Sequence, residues 1–204
     1  MTTARTRPEN WGQDNMEEIT RVVADRLSVG DIKTVAVASS SGKTALYFAP
    51  AWKDKAHILC VCDPVWSFGS HELAPGMPQE NRAKLEALGI EIIDYMPWTS
   101  SQFSWLEPQA NPYGAVDLLA LTFDAFRMVG GQPLSVAIES GLMAANAGKV
   151  PLGKEIIVVA GSSRNGYVAI VLQTALSSQL FSQVPQRRPA VREILAMPSI
   201  KRWW

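Results

Sequence analysis

Lys33-Thr34-Val35-Ala36-Val37-Ala38-Ser39-Ser40-Ser41-Gly42-Lys43-Thr44 is the stretch on which the fold of this chain turns. Its first six residues are a short apolar run carrying β-branched side chains, which predicts a buried strand. Three serines and a glycine then break the run. A helical pattern follows from Lys43 to Trp52, which Pro50 is expected to kink or end. Strand, hydroxyl-rich turn and helix in direct succession are the opening of an α/β unit.

Working outward, the unit repeats. Upstream, Asn15 is placed to cap a helix with Glu17 and Glu18 in its first turn, and Ile19, Val22, Val23 and Leu27 recur at helical spacing up to Gly30. Downstream, His57 to Cys62 predicts a second strand, Pro78 to Leu88 a helix closed by Gly89, and Glu91 to Tyr95 a third strand. A long polar and aromatic loop, Pro97 to Gly114, precedes an amphipathic helix from Ala115 to Met128 that Gly130-Gly131 is expected to end. Leu134 to Ile138 then predicts a fourth strand and Ser140 to Ala147 a helix. Glu155 to Ala160 predicts a fifth strand, paired through Gly161–Gly166 with Tyr167 to Leu172 as an antiparallel hairpin, and Arg192 to Met197 a last edge segment. Strands alternating with helices imply an α/β fold with a mostly parallel sheet covered on both faces, and runs such as Ile156-Ile157-Val158-Val159-Ala160 without polar alternation suit strands buried on both sides. The organisation expected is an N-terminal arm (1–14), one α/β domain (15–198) and a C-terminal tail (199–204).

The 204 residues suffice for one domain with a real core; 47% are hydrophobic and 19% charged, as in ordinary globular proteins. Lysine plus arginine equals aspartate plus glutamate, 19 of each, so the global basic excess of a nucleic-acid binder is missing and no nucleic-acid partner is expected. The basic lean of the last residues reads as a solvated terminal segment. No apolar stretch is long enough to span a membrane, and Met1 to Trp11 lacks the apolar centre of a signal peptide, so a cytoplasmic protein without a membrane partner is expected. Cys60 and Cys62 fall on one face of a predicted strand as small hydrophobes. Neither they nor His57 and His71 form a ligand cluster, and no metal is expected.

In open α/β sheets the ligand crevice lies beyond the carboxyl ends of the strands. Ser39, Ser40, Ser41, Gly42, Lys43 and Thr44 fall there and suit an anion: a tight turn at Gly42, amides of the next helix, hydroxyls and one cation. The other reading is that the serines cap the helix and fill the turn. Gly42-Lys43-Thr44 resembles the end of a nucleotide-triphosphatase loop, but the earlier glycine of that motif would fall at Val37, inside the strand; Ser40-x-x-Lys43 has the serine–lysine hydrolase spacing without its companion motifs. Gly161, Ser162, Ser163, Arg164 and Gly166 form either a plain hairpin turn around Asn165-Gly166 or a second wall in which Arg164 reaches the same anion. Glu139, at the end of the predicted fourth strand, either caps its helix or serves, with Lys43, as a catalytic acid or base.

Val35 to Thr44 (VAVASSSGKT), Glu155 to Val171 (EIIVVAGSSRNGYVAIV) and Arg192 to Pro198 (REILAMP), with Met143-Ala144-Ala145 and Gly148-Lys149-Val150-Pro151, together resemble the stand-alone relatives of the pyruvate kinase C-terminal domain, over about Asn15 to Pro198. The resemblance implies a three-layer α/β/α domain. It implies that Ser39–Thr44 is a phosphate loop, with Gly161–Gly166, shorter here than in the kinases, as a second wall. It implies a phosphorylated small molecule as ligand, a flavin mononucleotide (FMN) or another mononucleotide ahead of a sugar phosphate. The kinase's catalytic barrel has no counterpart here, so the resemblance implies no pyruvate kinase activity. An enzyme acting on a phosphorylated metabolite or flavin, or a homo-oligomeric regulatory module, are the alternatives. A homodimer is expected, with Trp98, Phe103, Trp105 and the terminal Trp203-Trp204 as candidate interface aromatics.

Overall fold

The computed structural model describes residues 15–62, 76–94, 118–162 and 164–199. The expected arm at 1–14, His71, Tyr95, the 97–114 loop with its aromatics, Ser163 and the Trp203-Trp204 pair lie outside the described residues. Within them, α1 (Met16–Ser28), β1 (Thr34–Ala38), α2 (Lys43–Trp52), β2 (His57–Val61), α3 (Gln79–Ala87), β3 (Glu91–Ile93), α4 (Leu118–Asn146), β4 (Glu155–Ser162), β5 (Gly166–Gln173) and β6 (Ala190–Ala196) follow in chain order.

The strands form one mixed sheet in the order β3-β2-β1-β4-β5-β6. β1 pairs in parallel with both β2 and β4, and β2 with β3, whereas β4–β5 and β5–β6 are antiparallel. The winding explains where the helices lie. From β1 the chain steps through α2 to β2 and through α3 to β3, always in one direction. The connection through α4 then returns to the other side of β1. Right-handed crossovers place helices from opposite winding directions on opposite faces.

The core divides accordingly. Val35, Val37, Ile58, Cys60, Ile157 and Val159 face the buried residues of α1 and α2, among them Ile19, Val23, Phe48 and Trp52. Ala36, Leu59, Ile156, Val158, Ile170 and Leu172 face Leu134, Ile138 and Leu142 of α4. Each strand therefore sends alternate side chains to one layer of helix or the other, and the architecture is helix, sheet, helix. No helix among the described residues is long and apolar enough to cross a membrane.

Two expectations are corrected. Leu134 to Ile138 is not a strand but part of α4, which runs 29 residues from Leu118 to Asn146 and is kinked at Gly131 (φ 72°, ψ −176°). Gly130-Gly131 bends the helix instead of ending it, and Pro133 stands in the first turn of the second segment, where a missing amide proton costs nothing. From Pro133 to Ala145 the segment is buried nearly all round, and Leu134, Ala137, Ile138 and Leu142 pack against the sheet. Asn15, in turn, makes no capping bond to α1. Its carboxamide instead pairs with the backbone of Tyr167, accepting from N–H at 3.1 Å and donating to C=O at 2.7 Å, which fastens the start of α1 to β5. Pro50 lies inside α2 without ending it.

The outer edge of the sheet is guarded. β6 carries two register irregularities against β5 and exposes Arg192 beside Val191 and Ile194; the irregularities and the charge discourage pairing with another strand. Glu193 accepts a hydrogen bond from Arg26 of α1 at 3.0 Å, and the same guanidinium holds Asp31 at 2.7 Å.

Arg26 thus holds the Asp31 carboxyl below its ordinary value of 3.8, chiefly through their hydrogen bond. A depressed carboxyl pKa contributes stability that is complete above the ordinary value and is lost as pH falls through the lowered one. Asp31→Asn is therefore expected to melt below the wild type at neutral pH, with the gap closing as the solution is acidified below about pH 4, the usual range for such groups. Thermal melts of both proteins from pH 7 to pH 2 check it.

Candidate functional site

β1 and β4 are neighbours whose outgoing connections leave in opposite directions, so their carboxyl ends form the topological switch point of the sheet. A cavity of about 430 Å³ opens there. One wall is the Ser39–Ser41 turn with Lys43 and Thr44, a second is the β4–β5 hairpin at Gly161, Ser162 and Asn165, and a third is the α4 kink at Gln132, Pro133 and Val136. The turn and the hairpin were legible in the sequence as candidate walls. The kink was not, because that stretch read as a strand.

Ser39 builds the first wall. Its amide donates to Val61 O at 2.8 Å, carrying the β1–β2 pairing one residue past the strand, and its carbonyl accepts from Gly42 N at 3.1 Å to close the turn. Gly42 takes a left-handed conformation (φ 78°) that a β-carbon would strain. Such a β-carbon would approach Met77, Asn81 and Leu85 within 3.1–3.2 Å; Gly42 turns the chain and packs toward α3 and is not part of the cavity wall. Asn81 donates to Ser41 O at 2.8 Å, bracing the turn from α3.

The first amides of α2 are not left open as the sequence suggested. Ser39 Oγ accepts from Thr44 N at 3.1 Å and from Ala45 N at 3.3 Å. Ser39 is therefore both a cap for α2 and a residue of the cavity. Accepting two amides leaves its own O–H to donate. Ser40 and Ser41 are exposed above it, and Lys43, also exposed, makes no ion pair among the described residues. Tyr167 lies deeper, where burial raises its phenol above the ordinary value against a hydrogen bond from Thr44 that lowers it.

The remaining candidates separate. Gly161 and Ser162 line the cavity with the serine turn. Arg164 is exposed at the hairpin tip and is not among the lining residues. Gly166 faces Pro198, whose Cγ would stand 2.8 Å from an added β-carbon. Glu139 is buried in the second segment of α4 and is not among the residues that line the cavity with Lys43. Sequence reasoning missed Gln132 and Asn165 as wall residues. Gln132 Oε1 accepts a hydrogen bond from Asn165 Nδ2, joining the α4 kink to the hairpin.

Electrostatically the cavity leans one way. Among the described residues, its lining holds Lys43 and no aspartate or glutamate. Two helix starts, α2 and the second segment of α4, also present their positive dipole ends to it from opposite faces of the sheet. No family model matches the chain.

The two roles of the serine turn can be separated by substitution. Ser39→Ala removes the acceptor shared by Thr44 and Ala45 and is expected to cost about 1 kcal/mol of stability, the usual cost of losing a helix cap. Ser40→Ala, at an exposed hydroxyl, is expected to stay within about 0.5 kcal/mol of wild type. Urea unfolding of both variants measures the difference.

Proposed function

We propose that the chain binds a phosphorylated small molecule at the β1–α2 turn, with its anionic group against Ser40, Ser41, Lys43 and Thr44. The observation that carries this reading is the switch-point cavity whose described lining offers hydroxyls and Lys43 and no carboxylate, and which two helix N-termini face. Its volume falls in the lower part of the roughly 300–1,000 Å³ range of small-molecule sites, in keeping with a mononucleotide such as FMN or with a sugar phosphate. The resemblance to stand-alone relatives of the pyruvate kinase C-terminal domain supports the same assignment and no pyruvate kinase activity. Capping of Thr44 and Ala45 by Ser39 leaves side chains and the helix field, more than free amides, to hold the anion.

Purified protein denatured and examined by absorbance and mass is expected to release a phosphate ester, or, if it purifies empty, to bind FMN or a sugar phosphate in calorimetry. Lys43→Ala is expected to weaken that binding about three- to fivefold, the modest effect of an exposed charge, and to flatten its dependence on salt. Absence of both released ligand and phosphate-ester binding rejects the assignment.

A homodimer is the companion proposal. Leu121, Met128 and Val129 are exposed on the first segment of α4, seven and eight residues apart and hence on one side of the helix. An apolar stripe of this kind suits a second copy of the chain. Sedimentation of Met128→Lys is expected to show a shift toward monomer; an unchanged sedimentation coefficient removes this stripe from the interface.

A further inference from the structure

We infer that Asn165 is the specificity residue of the cavity: its carboxamide hydrogen-bonds a hydroxyl on the non-anionic part of the ligand, which makes the preferred ligand a hydroxyl-bearing phosphate monoester. The inference rests on the anion reading above and adds the chemistry of the ligand's other end.

Asn165 lines the cavity yet is only 7% exposed. Its Nδ2 donates to Gln132, while its Oδ1 is buried and accepts no hydrogen bond among the described residues. Leaving such an acceptor unmet forfeits the hydration of a strongly polar group, so asparagine is an unfavourable choice here unless something meets it. The turn does not demand it. Asparagine often occupies turns because it tolerates left-handed backbone, but no non-glycine residue in the described chain has positive φ, and Gly166 supplies that conformation itself (φ 77°). Nor does the hairpin use the side chain: its closing bonds run from the Asn165 backbone amide to Ser162 O and Oγ, both at 3.2 Å.

The position is also suited to reading a ligand. Asn165 is held by Gln132 at the α4 kink, and Pro133 and Val136 of the same kink add apolar surface to the lining. Lys43 and Ser40 belong to the opposite, serine-turn wall. A hydroxyl is the group that fits, because it both donates and accepts. Turning both carboxamides over preserves the Asn165–Gln132 bond and opens an N–H in place of the carbonyl, and a hydroxyl answers either.

Calorimetry with three probes tests this: inorganic phosphate, ribose 5-phosphate, and pentyl phosphate, which carries the same anion on a five-carbon chain without hydroxyls. The preference of wild type for ribose 5-phosphate over pentyl phosphate is expected to fall about tenfold in Asn165→Leu and in Asn165→Ala, the worth of one well-made hydrogen bond. Affinity for inorganic phosphate is expected to hold. Thermal melting establishes that each variant is folded; negative φ at position 165 makes both substitutions compatible with the backbone. An unchanged preference in a folded variant overturns the role of Asn165 while leaving the anion site standing. If neither variant folds, the wild-type ratio decides, and equal or inverted affinity for the two esters overturns the proposal. Failure of wild type to bind any of the three probes removes the anion site, and this inference with it.

Discussion

Ser39 is the joint on which the carboxyl edge of the sheet depends. Its amide continues the β1–β2 ladder, its carbonyl closes the turn onto Gly42, and its hydroxyl holds the first amides of α2. The thiols of Cys60 and Cys62 also point at its carbonyl, each at 3.6 Å. One residue thus fixes how strand, turn and helix meet. A buried serine is tolerable there because each of its polar groups has a partner. The exposed residues beyond it, Ser40, Ser41 and Lys43, inherit a rigid platform without having to build it.

The cavity follows from winding and not from any single motif. Because the chain leaves β1 toward β2 and comes back to β1's other side through α4, helices of opposite layers start at the same edge of the sheet. Their positive ends converge, and the gap between them has room for a ligand. The kink at Gly131 matters here. It starts a fresh helical segment at the cavity, so that Gln132, Pro133 and Val136 present a first turn to the site.

The legible part of the sequence was local. Lys33–Ala38 announced a strand, Ser39–Thr44 a turn into a helix, and Asn165-Gly166 a hairpin, since each signal is written in neighbouring residues. Leu134–Ile138 failed for a physical reason. A five-residue apolar run is compatible with a buried strand or with one side of a buried helix, and the glycine pair before it looked like a stop. The deciding feature is length: the buried stretch from Pro133 to Ala145 is longer than a strand and suits a helix enclosed on nearly all sides. That error displaced Glu139 to the strand ends, where it had been matched with Lys43. The Asn165–Gln132 bond, across 33 residues, depends on the kink and leaves no local trace. Asn15 likewise had the composition of a cap, but its carboxamide met a better partner in the Tyr167 backbone.

The cysteine pair beneath the serine turn bears on how the cavity keeps its sign. Both thiols are buried, and the Cys60 thiol is pushed up strongly, first by its hydrogen bond with Cys62 and then by burial. A neutral thiol is a weak donor and a poor nucleophile, so Cys60 supports the Ser39 carbonyl without placing negative charge under the turn. Had either position been a carboxylate, the turn would sit over an anion, and the lysine and helix ends above would be partly cancelled. Small side chains below and, among the described residues, a lining without carboxylates above are two expressions of one constraint: the proposed anion site has to avoid negative charge through its depth as well as at its surface.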